Sequence, residues 1–292
     1  MIKSIDHILI AVKNLEESSL QYEKVLGLKP TWRGKHPSLG TENILFPLEN
    51  LYLELIAGTS EGFLADQVND HIKENGESIF GIALEVENIE EVFQSKEYSN
   101  FQNIKITSGE GINLDSGAKR EWKNIMLPKE STRGVFTLLI EHTSGILPKY
   151  ESFENDQVER LDHIVINSND PDGLIELYRD TYGIRLALDQ YVEKWGGRML
   201  FFRTNQTTIE AIGIENDADK PIDKAWGLAW TTKDIKKTHA RLVSEGVEIS
   251  DVKDGRKPKT LVATIKSHTC NVPTLLIAVS YTHLTLPTIY SV

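Results

Sequence analysis

"IDHILIAV" (residues 5–12) reads as a β-strand with an ionisable pair, Asp6-His7, set inside it. Nearly the same phrase returns as "LDHIVIN" at 161–167. Laying His7 on His163, 156 positions later, brings the two halves of the chain into register without a gap. Tyr22 then meets Tyr178, Gly27 meets Gly183, Gly40 meets Gly196 and Glu54 meets Glu210, so 47 residues separate His from Glu in both halves. A repeat of this kind governs the fold and has to be read before anything else.

Each copy predicts the same elements in the same order. A strand ("DHILIAV") leads into an amphipathic helix ("LEESSLQYEKVLG") ended by Gly27, whose freedom at positive φ suits a helix C-terminus. Strands follow around "KPTWRG", "ENILFPL" and "LYLELIAG", giving βαβββ. Two fainter copies share that order, one from "IFGIALEV" at 79 and one from "AWGLAWTT" at 225. The expected fold is therefore α+β, with four βαβββ modules (1–58, 79–142, 159–212 and 225–278) paired into two eight-stranded cupped sheets, helices outside. The domains would be 1–145 and 159–278, with 59–78 and 143–158 as linkers.

Alternation along a strand sorts these residues onto faces. Ile8, Ile10 and Val12 form one face of the first strand, and His7 stands on the other. Glu54 is likewise opposite Leu53 and Leu55, and His163 and Glu210 repeat the arrangement. In "FTLLIEH" (136–142) the same reading sets Thr137, Leu139 and Glu141 on the face away from the helices. Carboxylates in a half-apolar concavity are costly unless paired or bound to a cation. A divalent metal meets that need, and histidine with carboxylates suits Zn, Mn, Fe or Ni. His36 and Asn43 lie in the stretch rimming the first cup and are expected to contact substrate.

Composition narrows the classes. The chain has 292 residues, 40% of them apolar and 26% charged, with a net charge of −11. That balance argues against nucleic acid, and no apolar run is long enough for a membrane span. One cysteine supplies neither a disulfide framework nor a thiolate cluster, and no secretory signal precedes the first strand, so a cytoplasmic location is expected.

With these modules, a His on the first strand and a Glu on the last, the chain resembles the vicinal oxygen chelate superfamily: glyoxalase I, bleomycin-resistance proteins and extradiol dioxygenases. "HPSLGTENILF" (36–46), "YLELIAG" and "LLIEHT" resemble its glyoxalase-like-domain branch. The resemblance implies a metal held by His7, Glu54 and Glu141 in the first cup, and by His163 and Glu210 in the second. Gly81 and Gly227 stand where further histidines are expected, which counts against catechol cleavage. The implied function is a metal-dependent enzyme of lyase or isomerase type acting on a small oxygen-chelating substrate, with Glu54 or Glu141 as catalytic base. The alternative is a metal-free cup that binds or sequesters a small molecule. A second copy of the chain is the expected protein partner.

"VSYTHLTLPTIYSV" (279–292) has no counterpart in the repeat and reads as translated sequencing-library adapter, a non-native tail. Ala278, just before it, occupies the position of Glu141, and a native glutamate there would copy the first ligand set into the second cup.

Overall fold

The two Asp-His phrases occupy the centre of two separate sheets in the computed structural model, which describes residues 2–99, 101–204, 206–213 and 220–279. Most of the expected tail lies outside the described residues. The first module is β1 (Ile2–Ala11), α1 (Leu15–Leu26), β2 (Trp32–His36), β3 (Thr41–Pro47) and β4 (Tyr52–Gly58). After α2 (Phe63–Asn75), the second runs β5 (Ser78–Val86), α3 (Ile89–Gln94), β6 (Thr107–Asn113), β7 (Lys119–Met126) and β8 (Phe136–Ser144). The third is β9 (Val158–Ser168), α4 (Pro171–Ile175), β10 (Arg185–Val192), β11 (Gly197–Arg203) and β12 (Thr208–Gly213). The fourth is β13 (Asp223–Thr232), α5 (Ile235–Ser244), β14 (Lys253–Asp254), β15 (Thr260–Ile265) and β16 (Thr274–Val279).

Sequence neighbours pair. β1 runs antiparallel to β5, and β9 antiparallel to β13. The first eight strands close into a barrel, because β2 also meets β6 through Gly34–Asn113 and Lys35–Ile112. The last eight remain an open sheet with β10 and β14 at its edges. β14 is only two residues long and offers too short a ladder for a matching closure.

Local chemistry explains the helices. The Asn14 side chain accepts from the Glu17 amide to start α1, and Gly27, at φ 71°, ends it. Ile8, Ile10, Tyr22, Val25, Ile164, Ile166, Trp230 and Leu242 belong to one continuous apolar core that joins the two halves. Polar clasps add to it: the Tyr22 hydroxyl donates to the Thr269 carbonyl at 3.1 Å.

The stretch 59–78, expected to be a linker, instead carries the thirteen-residue α2. Leu64 and Val68 of α2, with Ile72, pack with Leu9, Ala11 and Ile56 on the inner side of the barrel. That apolar stripe at helical spacing is legible in the sequence and explains why the segment folds. Without α2, this inner face would be exposed.

Candidate functional site

Inside the first barrel, β1, β3 and β4 build a buried polar cluster. The parallel β1–β4 register sets His7 opposite Tyr52 and Leu9 opposite Glu54, so His7 and Glu54 are diagonal neighbours on the inward face. His7 Nε2 lies 3.1 Å from Glu54 Oε2, and its Nδ1 lies 2.6 Å from Asp6 Oδ2. The other Asp6 oxygen is 3.0 Å from His142 Nε2. Asn43 Nδ2 donates to Glu54 Oε1 at 2.9 Å and stands 3.3 Å from His36 Nε2. His36 Nδ1 is 2.9 Å from Thr41 Oγ1. The Tyr52 ring stacks on the His7 imidazole at 4.5 Å.

Burial and partners set the charge states. Burial works against charge on His7, but the hydrogen bonds to Asp6 and Glu54 outweigh it and hold the imidazole up at about 9. Burial would raise the Glu54 carboxyl, yet His7 and Asn43 keep it below its ordinary range. His36 goes the other way, because burial lowers its pKa and favours the neutral ring. In the Nδ1–H tautomer it accepts from Asn43 and donates to Thr41.

His7, Glu54, Asn43, His36 and Tyr52 line a cavity together with apolar side chains: Leu9 and Ile56 on the strands that carry His7 and Glu54, Leu64 of α2, and Phe136, Leu138 and Ile140 of β8. The cavity itself is small, about 40 Å³, and opens to solvent at its mouth. Arg120, Trp122, Asn124 and Met126 of β7 also line it.

The expected ligand set does not assemble. Phe136, Leu138 and Ile140 point inward, while Leu139 packs in the main core. Glu141 follows Leu139, and its Oε2 accepts from the Ile89 amide at 2.7 Å at the start of α3. The face assigned to Glu141 from alternation is therefore corrected: β8 is apolar on both faces, and a one-residue ambiguity turns every side chain over. Ala278, its counterpart, is also buried in the main core, so a carboxylate there would not enter the second cup. Gly81 leaves no donor on β5, where a side chain would run into Phe136.

A divalent metal does not fit this donor set. Among the described residues no group of three or more His, Cys, Asp or Glu side chains is arranged to hold one. His7 and Glu54 supply two donors, already paired to each other. The unpartnered Asn43 Oδ1 lies 2.9 Å from where a Cβ on Gly34 would stand, against the barrel wall.

In the second sheet His163 Nε2 is 3.3 Å from Glu210 Oε2, and its Nδ1 is 2.8 Å from Asp162. Thr208 stands where the first barrel has Tyr52, and the pair is more exposed than its counterpart.

Sequence reasoning missed Asp6, His142, Tyr52 and Arg120. The Asp-His doublet, repeated at 162–163, was a visible signal for Asp6 as a partner of the imidazole. Nothing in "KREWKNIM" marks Arg120 as inward.

The comparisons agree with this architecture. A model of the glyoxalase-like domain matches residues 5–159, and one of the glyoxalase/bleomycin resistance protein/dioxygenase superfamily matches 160–265. The chain belongs to the glyoxalase-like domain family, within the vicinal oxygen chelate fold. No curated protein matches it. Among solved structures, a variant 4-hydroxymandelate synthase from Streptomyces coelicolor is similar at a TM-score of 0.66 and 14% identity, over 95% of this chain and 92% of that one. The Mn(II)-bound glyoxalase of Novosphingobium aromaticivorans gives 0.61 and 14%, over 95% and 82%. A hypothetical protein from Staphylococcus aureus gives 0.62 and 12%, over 95% and 100%. At these identities the likeness concerns the fold. No helix among the described residues is long and apolar enough to cross a membrane.

Proposed function

We propose that the first barrel is a small-molecule-binding cup that works without a resident metal. The observation that carries this reading is the composition of the cavity. A prearranged hydrogen-bonded cluster (His7, Glu54, Asn43, His36), backed by Asp6, shares it with apolar side chains and supplies two metal donors at most. A few fixed polar groups in an apolar cleft orient a ligand and give it specificity. Because the groups already hold one another, little ordering cost remains at binding.

One observation favours a rival, metal-dependent lyase or isomerase: Asp6 supports His7 Nδ1 as outer carboxylates do for ligating imidazoles. The Mn(II) glyoxalase among the similar structures is in keeping with that rival.

One experiment tests both readings. The protein is reconstituted with Mn(II), Zn(II), Fe(II) or Ni(II), desalted and submitted to elemental analysis, then equilibrated with a metabolite extract for native mass spectrometry. The expected result is a retained small-molecule adduct, lost when Ile140→Trp fills the cavity, with no stoichiometric metal. One metal per chain, lost in Glu54→Gln, would instead establish the metal-dependent reading.

A further inference from the structure

Arg120 lines the cavity from β7 and is 7% exposed. Its guanidinium carbon stands 5.7 Å from the centre of the Trp32 ring and 5.3 Å from that of Tyr52, so two aromatic faces fix its position. Among the described residues no carboxylate pairs with it, and its Nε is buried without a hydrogen-bond partner. The nearby acids are engaged elsewhere: Asp6 with His7 and His142, Glu54 with His7 and Asn43. A nearly buried guanidinium without a counter-ion is costly, and a planar fork of donors matches a carboxylate.

We infer that Arg120 anchors the anionic end of the ligand, and that the ligand class is a compact carboxylate with a hydrocarbon or aromatic body. The body lies against Leu9, Ile56, Leu64, Phe136 and Leu138, and the carboxylate meets Arg120 beside the ring of Tyr52. Tyr52 is shared, since its ring also stacks on His7, so an anion at Arg120 sits next to the polar cluster and within reach of its donors. This inference rests on the binding-cup reading and gives it a chemical class.

The test is calorimetric titration of the full chain with matched acids and amides: benzoate against benzamide, hexanoate against hexanamide. At least one acid should bind roughly tenfold or more tightly than its amide, the scale of one charge-assisted hydrogen bond. Arg120→Leu should abolish that preference, and Arg120→Lys should keep part of it. If Arg120→Leu fails to fold, Arg120→Gln serves in its place. Acid and amide binding equally, or a preference that survives loss of the guanidinium, overturns the inference and leaves the binding cup standing. No binding by any probe overturns both. Phenyl phosphate displacing benzoate, with the same dependence on Arg120, overturns the choice of a carboxylate.

Discussion

His7 and Glu54 meet diagonally across the parallel β1–β4 pair, with 3.1 Å between Nε2 and Oε2, and both are almost fully buried. Removing one partner of such a pair strands the other charge. Glu54→Leu should cost about 3–5 kcal/mol. In a double-mutant cycle with His7→Phe, the coupling should reach about 1–3 kcal/mol. Chemical denaturation measures both, and strictly additive losses would show that the two residues do not interact.

The same pair fixes a pH dependence. His7 is raised from 6.5 to about 9, so its contribution to stability is complete below pH 6.5, fades as the pH rises and is gone above about 9. Glu54 is depressed from 4.5, so its contribution is complete above that pH and is lost in acid. The cluster therefore stabilises most between about pH 4.5 and 6.5. An NMR titration of the His7 Cε1 resonance should show a midpoint well above 6.5 that falls in Asp6→Asn. A midpoint at the ordinary value would refute the assignment.

Glu141, on β8, caps the start of α3 and does not line the cavity. Glu141→Ala should cost about 1 kcal/mol, the scale of a lost helix cap, and leave ligand binding in the first barrel unchanged. Weakened binding in that variant, at unchanged stability, would return Glu141 to the site.

What the sequence revealed follows from what repetition preserves. The offset that aligns His7 with His163 also aligns Glu54 with Glu210, and the β1–β4 and β9–β12 registers place both pairs diagonally in the same way. Alternation located Ile8, Ile10, Leu53 and Leu55 in the core because their strands have one polar and one apolar face. It failed for β8, where Leu138 faces the cavity and Leu139 the core, so both faces read alike. Arg120 escaped because inward arginines are few and only a closed barrel, by pairing β6 with β2, brings β7 within reach of Trp32. The closure depends on the Gly34–Asn113 pairing, which no local pattern announces.

The second His-Glu pair should matter far less than the first. His163 and Glu210 keep 15% and 19% of their side-chain surface exposed, and among the described residues no ring stacks on His163 where Tyr52 covers His7. His163→Ala should cost no more than about 1 kcal/mol, the range of partly solvated pairs. Thermal unfolding of the two His→Ala variants side by side compares the sites. Equal losses would mean that the open sheet protects its pair as well as the barrel does.

Arg133 joins the two halves. Its Nε lies 2.7 Å from Asp223 and its Nη1 2.9 Å from Asp170, and burial is the largest influence on Asp223, raising its pKa. The backbone of Arg133 is left-handed, at φ 59°, a conformation that glycine adopts without strain. Two roles can therefore be separated. If only the backbone turn mattered, Arg133→Gly would be neutral or stabilising by a fraction of a kcal/mol. Because the side chain neutralises a buried carboxylate across the junction, Arg133→Gly should instead cost about 3–5 kcal/mol. Asp223→Asn in the same background should recover part of that loss by removing the stranded charge. Denaturation of the three proteins measures both effects, and a glycine variant as stable as the parent would show that the junction does not depend on this clasp.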